Sequence, residues 1–227
     1  MTHKSNDLRL LNILNNHGVI AFPTDTVYGF GCDPLDPVAL RRIHEIKGRE
    51  MEKGFLVLID HPYQVFHYVT HVPQYAEKLM AEYWPGSLTL IFKARADLPL
   101  ELCGEKRTIG VRLSSHPLAR HIASILPHGI VSTSANVSGK DPATSGEDVA
   151  NAFGPLLDEV LFGECGAGIH STVVDCTGYE PRLVRAGAVD LALKDLTGDG
   201  PQRDRPGTPR GHTGDTHSSA TFPPGSI

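Results

Sequence analysis

Three positively charged side chains lie close together in the sequence and could hold a polyphosphate. Lys47, Arg49 and Lys53 fall within seven residues, where a predicted helix ends and the chain turns towards a predicted strand. Cations that converge on one point bind phosphate oxygens well. They are also favoured at any helix C-terminus by the helix dipole, and Glu50 and Glu52 would dilute their field. From these residues alone, a phosphate site and a solvated helix end both stay open.

Hydroxyl-rich segments follow apolar runs that predict buried strands. Thr24 and Thr26 follow one such run, and residues 132–139 follow another. A polar segment that leaves the end of a strand is a common ligand site in α/β sheets, and hydroxyl groups both donate and accept hydrogen bonds. Each segment could equally be a turn that caps its strand. A further polar segment covers residues 169–175 and is followed by Arg185.

Several well-known site motifs are missing from the sequence. It has no Walker A pattern, no G-x-G-x-x-G after a strand and no G-x-S-x-G, so a nucleotide site would have to be built differently. His67 and His71 have i,i+4 spacing without an HExxH motif, which favours a solvated helix face over a metal site. The four cysteines show no CxxC spacing, which argues against a zinc knuckle or a thioredoxin-like site. We therefore predict no metal-ligating residues.

The elements that would position these residues alternate along the chain. Helical spacing and stop signals predict helices, and short apolar runs predict strands. The predicted helices are 8–14, 36–46, 75–83, 118–126 and 144–153, the last opened by a capping box of Thr144 and Glu147. The predicted strands are 19–22, 55–59, 88–92, 108–113, 130–133, 160–162, 172–175 and 182–184. Because several strands follow one another without a helix between them, we predict an α/β domain with a mixed, twisted sheet.

Length and composition fit one domain followed by a tail. The chain has 227 residues, 40% of them apolar, and a net charge of −5, which argues against a wide nucleic-acid-binding face. No apolar run approaches the roughly 20 residues of a membrane span, and the N-terminus lacks a signal-peptide core, so we expect a cytoplasmic protein without a membrane contact. We predict a catalytic domain at 1–190 and a disordered Gly/Pro-rich tail at 191–227.

Seven segments taken in order resemble the YrdC-like family. They are PTDTVYGFGCDP, IKGREMEK, YWPGSLTLIF, VRLSSHPLAR, STSANVSG, HSTVVD and VRAG, and the match covers roughly residues 8–189. Each segment alone is weak evidence, but chance is a poor explanation for all seven in this order. The chain is most similar to the bacterial single-domain members. The resemblance implies a twisted open mixed sheet with flanking helices around a large basic cavity.

The resemblance also implies an activity. Members of the family make L-threonylcarbamoyladenylate and pyrophosphate from ATP, L-threonine and bicarbonate, with Mg²⁺ on the phosphates. This nucleotidyltransferase reaction supplies a precursor for the t6A modification of tRNA adenosine 37, and a partner complex later transfers the threonylcarbamoyl group. The alternatives are an RNA-binding or ribosome-maturation module of the same fold, with weak RNA or tRNA binding, and a carbamoyl-adenylate enzyme like the related domain of hydrogenase maturation proteins.

Site residues follow from the resemblance, position by position. Lys47 and Arg49 are implied as catalytic, and the threonine side and the ATP side of the site each take a set of residues. The implied threonine-binding residues are Thr26, Arg112, Ala135 and Ser171; the implied ATP-binding residues are Lys47, Arg49, Lys53, Thr133, Ser134, Asn136 and Arg185. One departure stands out: where longer members carry a threonine-binding histidine, this chain has Leu58.

Overall fold

The computed structural model describes residues 3–48, 54–166 and 168–191. No helix within these residues is long and apolar enough to cross a membrane. The helices are α1 His3–Asn15, α2 Pro37–Lys47, α3 Gln74–Tyr83, α4 Leu100–Cys103, α5 Pro117–Ala123 and α6 Gly146–Phe153, with 3₁₀ turns at Pro62–His67 and Gly154–Leu156. The strands are β1 Ile20–Phe22, β2 Gly29–Gly31, β3 Leu56–Ile59, β4 Leu88–Lys93, β5 Thr108–Leu113, β6 Ile130–Ser134, β7 Glu159–Val160, β8 Thr172–Asp175 and β9 Arg182–Arg185.

Helix ends follow local chemistry, with one correction to the prediction. Asp36 caps α2 as expected, because its side chain accepts hydrogen bonds from the backbone of Val38 and Ala39. Gly48 ends this helix in the left-handed conformation at φ 57°, which glycine adopts at little cost. The predicted Thr144–Glu147 capping box is wrong: the cap of α6 is Ser145, whose Oγ accepts from the Asp148 N–H. The serine wins because its φ of −126° suits a cap and places Oγ over the first turn.

The described strands form one nine-stranded mixed sheet in the order β7-β1-β2-β6-β3-β5-β4-β8-β9. The pairs β1–β7, β3–β5 and β4–β8 are parallel and the others antiparallel. The mixed α/β sheet with flanking helices is therefore confirmed. Most strands neighbour a strand that is distant in sequence, so the sheet brings loops from the whole chain to one face.

Each face of the sheet has its own hydrophobic core. Phe30, Val57 and Val111 belong to the larger core, which also contains buried residues of α2, α3 and α4. The smaller core includes Leu58 and Ile130, with α1 and α5 packed over them. Because side chains alternate along a strand, β1, β3 and β6 contribute to both cores. Leu58 is fully buried in this smaller core, so it does not replace the missing histidine as a ligand contact.

The smaller core covers only part of its face. Along β6, Ile130 lies in that core, while Ser132 and Ser134 on the same side of the strand line a cavity. Along β3, Leu58 is in the core and Leu56 lines the cavity. The same period-two alternation that builds the core therefore carries polar side chains into an open region beyond α1 and α5.

Trp84 is the single tryptophan of the sequence and is nearly buried in the larger core. Its indole Nε1 donates a hydrogen bond to the Leu88 carbonyl at 2.8 Å. It thereby fixes the short segment that contains Ser87 and leads into β4.

Candidate active site

Two adjoining cavities lie over the middle of the sheet. The first cavity has a volume of about 290 Å³ and the second of about 580 Å³. They share five lining residues: Gly54, Phe55, Leu56, Ser171 and Arg185. The first is otherwise lined by Thr24, Thr26, Val27, Tyr28, Gly29, Arg112, Ser132, Thr133, Ser134 and His170. Because the lining is shared, the two form one bipartite site.

Arg112 is the most unusual side chain of the first cavity. It lies on β5, only 2% of the residue is exposed, and its Nε has no hydrogen-bond partner among the described residues. Its Nη2 lies 3.4 Å from Asp25 Oδ1. Burial lowers the pKa of Arg112, and the Asp25 carboxylate opposes that shift; arginine nevertheless stays charged in proteins. A buried cation with an unused donor is suited to an anionic ligand.

Asp25 is a buried carboxylate next to Arg112. Ser114 Oγ donates to its Oδ1 and Ser87 Oγ donates to its Oδ2. Burial acts to raise the pKa of Asp25, but Arg112 and the two hydroxyls outweigh it, so the pKa lies below its usual value. Asp25 is therefore ionised at neutral pH and balances part of the Arg112 charge.

Hydroxyl groups complete the first cavity. Thr24 and Thr26 Oγ1 atoms lie 2.9 Å apart, and Thr24 also donates to the Val27 carbonyl. Ser171 Oγ lies 2.9 Å from Thr89 Oγ1 and 3.2 Å from Arg185 Nη2. The structure thus brings the predicted threonine-side residues Thr26, Arg112 and Ser171 to one cavity.

The other predicted threonine-side residue lies behind this surface. Ala135 is buried in the larger core, and its N–H donates to the Tyr28 carbonyl at 2.8 Å. Tyr28 in turn is tied to the loop after β7, because its hydroxyl donates to the Gly163 carbonyl and accepts from the Gly163 N–H. Ala135 is thus one residue beyond Ser134, which does line the cavity.

Lys47 fastens the loop that follows β6. Its Nζ donates to the Ser134 carbonyl at 2.5 Å and to Asn136 Oδ1 and O at 2.7 and 3.1 Å. The Ser138 N–H also donates to the Lys47 carbonyl. The ammonium is buried, 5.8 Å from the centroid of the Phe30 ring. Lys47 and Asn136 therefore set the position of Thr133 and Ser134 in the cavity wall.

Arg49 and Lys53, the other two cations of the predicted phosphate cluster, lie outside the described residues. Arg185 lies inside them and belongs to both cavities. Its guanidinium donates to the Ser171 carbonyl and hydroxyl. Burial lowers its pKa from the usual arginine value. Lys106 and Arg182 add positive charge to the second cavity, where Asp175 also lies and pairs with Arg182 at 2.8 Å. Ile91 and Val173 add apolar surface.

Comparison with known proteins places this site in a family. The family model Sua5_yciO_yrdC, described as "Telomere recombination", matches residues 12–187. The chain belongs to the Sua5/YciO/YrdC family.

Curated relatives of this family member carry an enzyme name. A Nitrosococcus oceani protein called threonylcarbamoyl-AMP synthase is 39% identical over 154 residues, which are 68% of this chain and 83% of the relative. A Pyrococcus abyssi protein of the same name is 36% identical over 174 residues, 76% of this chain. The chain spans about half the length of that archaeal relative, 51%.

Solved structures share the fold. Pyrococcus abyssi Sua5 complexed with L-threonine superposes with a TM-score of 0.77 at 32% identity, covering 82% of this chain and 55% of that one. E. coli YciO superposes with a TM-score of 0.76 at 27% identity, covering 86% of this chain and 95% of that one. The YrdC-like fold expected from the sequence is thereby confirmed.

One group of side chains beside Arg112 was not predicted from the sequence. Asp25, Ser87 and Ser114 form one hydrogen-bonded group beside Arg112, yet they lie 62 and 89 residues apart in sequence. Asp25 stands within the quoted PTDTVYGFGCDP segment, next to Thr26. Ser87 stands within the quoted YWPGSLTLIF segment and Ser114 within VRLSSHPLAR, but a hydroxyl next to a strand is common, so neither serine pointed to Asp25 as its partner.

The described residues contain no cluster of three or more His, Cys, Asp or Glu side chains that could hold a metal ion.

Proposed function

We propose that this chain is a threonylcarbamoyl-AMP synthase, which uses ATP, L-threonine and bicarbonate. The observation that carries the proposal is the buried guanidinium of Arg112. Its Nε has no hydrogen-bond partner among the described residues, and it lines a cavity together with Thr26 and Ser171. Two relatives carry this enzyme name, and a structural neighbour was solved with L-threonine.

The first cavity suits the amino acid. Arg112 would pair with the α-carboxylate of threonine, and a planar guanidinium can do so through two donors. Thr26 and Ser171 would offer hydroxyls to the polar groups of the ligand, with Ala135 behind them. A volume of about 290 Å³ accommodates a small ligand of this kind.

The second cavity suits the nucleotide. It is twice as large and basic, and it joins the first cavity at Ser171 and Arg185. Arg185 would contact ATP near this junction, and Thr133 and Ser134 would face it from the first cavity, held in place by Lys47 and Asn136. Arg49 and Lys53 stay predicted phosphate contacts, and Mg²⁺ would neutralise phosphate charge when bound with ATP.

The reaction is a nucleotidyl transfer. The threonine amine would attack bicarbonate and release water to give N-carboxy-threonine, whose new carboxylate attacks the α-phosphate of ATP and releases pyrophosphate. The chain's own contribution is to hold the two reactants in adjoining cavities and to place arginine charge where negative charge develops. The product would serve a separate complex that builds t6A on tRNA. The net charge of −5 does not favour the RNA-binding alternative, and a cytoplasmic location stays a prediction.

The test is pyrophosphate release with each substrate omitted in turn. We expect release only when ATP, threonine and bicarbonate are all present, together with a mass-spectrometric signal for threonylcarbamoyl-AMP. Pyrophosphate release that does not depend on threonine would contradict the proposal.

Arg112→Gln should lower kcat/KM for threonine about 30- to 100-fold, since a charged hydrogen bond contributes roughly 2–3 kcal/mol. Arg120→Gln, on α5 and outside both cavities, is the matched control.

A further inference from the structure

We propose that Asp25 is a positioning residue that presents Arg112 to the carboxylate of the substrate, and that Ser87 and Ser114 hold Asp25 for this purpose. The proposal rests on the proposed use of Arg112 as the threonine-carboxylate partner. It assigns a role to three residues that do not line either cavity.

The three residues come from separate parts of the fold. Asp25 follows β1, Ser87 precedes β4 and Ser114 follows β5 directly after Leu113. Each carboxylate oxygen of Asp25 accepts a hydrogen bond from one serine. The side chains of Asp25 and Arg112 are 8% and 3% exposed, so water solvates neither charge well.

The distance between the two charges is informative. Arg112 Nη2 lies 3.4 Å from Asp25 Oδ1, beyond the roughly 2.7–2.9 Å of a charge-assisted hydrogen bond. Asp25 is thus close enough to balance a buried cation but does not form the tight two-pronged pair that would occupy its donors. Because Ser87 and Ser114 hold both carboxylate oxygens, the guanidinium stays available to a second carboxylate, that of the ligand.

Removing any part of this group should change threonine binding more than the chemical step. Without the Asp25 charge, Arg112 is a buried cation with no fixed orientation and will adopt other positions. Without one serine, Asp25 can turn and pair closely with Arg112. The Asp25 carboxylate then competes with the substrate carboxylate for the guanidinium. Both changes act on the affinity for threonine and leave the nucleotide contacts in place.

The first experiment is a comparison of kinetic constants. Asp25→Asn and Ser87→Ala should each raise KM for threonine about tenfold, less than the loss of Arg112 itself because the guanidinium is still present, with KM for ATP and kcat within about twofold of the unmodified chain. Ser87→Thr keeps the hydroxyl and should keep KM for threonine. Ser124→Ala, whose hydroxyl donates to the His121 carbonyl away from both cavities, is the control. Equal changes in the two KM values, or no rescue by Ser87→Thr, would overturn the proposal.

The second experiment measures the NMR signal of the Arg112 side chain and needs no substrate. In ¹⁵N-labelled protein, the Nε–H of Arg112, identified by its loss in Arg112→Lys, should give a sharp and slowly exchanging signal that broadens or exchanges faster in Asp25→Asn. An unchanged signal would refute a positioning role. If the unmodified chain shows no threonine-dependent pyrophosphate release, the proposed function fails, while this signal still decides the role of Asp25.

Discussion

At the residue scale, Lys47 illustrates the difference between a residue type and its use. The sequence presents it as one of three cations that could converge on phosphate. In the fold its ammonium lies among oxygens of Ser134 and Asn136, on a loop that lines the first cavity. A catalytic role for Lys47 stays a prediction, and the contacts described support an indirect one, through the loop.

Lys47→Met tests this role. The substitution keeps much of the side-chain volume but removes the hydrogen bonds from the ammonium to the Ser134 and Asn136 oxygens, so we expect the free energy of unfolding to fall by about 1–3 kcal/mol. Pyrophosphate release should fall with it, because Thr133 and Ser134 lose their support. Urea unfolding and the pyrophosphate assay measure the two effects. Lys78→Met, on the exposed side of α3, is the control. Unchanged stability with a raised KM for ATP would instead indicate a direct phosphate contact.

The sequence predicts single site residues better than it predicts their partners. Arg112 and Ser171 lie within segments that resemble the family, and the structure brings both to one cavity. Asp25, Ser87 and Ser114 also lie within such segments, but their hydrogen bonds to one another could not be predicted, because the two serines meet Asp25 only after β4 and β5 have paired. Contacts of that kind depend on the sheet and leave no local pattern.

At the element scale, apolar runs predict most strands and helical spacing predicts the longer helices. The strand β2 was missed because its sequence, Gly-Phe-Gly, has little intrinsic strand propensity. It forms because β1 and β6 pair with it on both sides. The short helix α4 was missed as well, since four residues are too few to show a helical period.

A pair of glycine substitutions tests how closely β2 packs against β6. A Cβ on Gly29 of β2 would lie 2.9 Å from Ser132 Oγ and 3.3 Å from the Thr133 carbonyl, so Gly29→Ala should destabilise the protein by about 1–3 kcal/mol. A Cβ on Gly110 of β5 meets its nearest atom at 3.5 Å, and Gly110→Ala should leave the stability nearly unchanged. Urea unfolding of both variants measures the difference. If Gly29→Ala were as stable as the unmodified chain, β2 and β6 would be able to move apart at little cost.

At the scale of the whole molecule, the site lies on the part of one sheet face that the smaller core leaves open. The sequence predicted the mixed sheet but not the strand order, which depends on pairings such as β1 with β7 and β4 with β8. The predicted division at residue 190 stays a prediction. The family match ends at residue 187, in keeping with it, but Leu191, the first residue of the predicted tail, is buried in the larger core.

Truncation tests the predicted division. A chain that ends at residue 197 should keep its thermal midpoint within about 2 °C, since none of the described core is removed. It should also keep its pyrophosphate release. A chain that ends at residue 186 loses Val189, which exchanges hydrogen bonds with Thr172, and also Leu191, and it should be markedly less stable. Calorimetry of both chains measures this. A large loss of stability or activity in the chain that ends at residue 197 would show that the residues after 197 are needed for folding or catalysis.

The single tryptophan gives the protein a fluorescent label in a useful place. Trp84 is fixed by its hydrogen bond to Leu88, and Ser87, which holds Asp25, lies between these two residues. The tryptophan emission of the whole chain therefore comes from the segment next to the Arg112 group. The light emitted by the unmodified protein can report both the loss of the larger core and a rearrangement beside Asp25, and no dye needs to be attached.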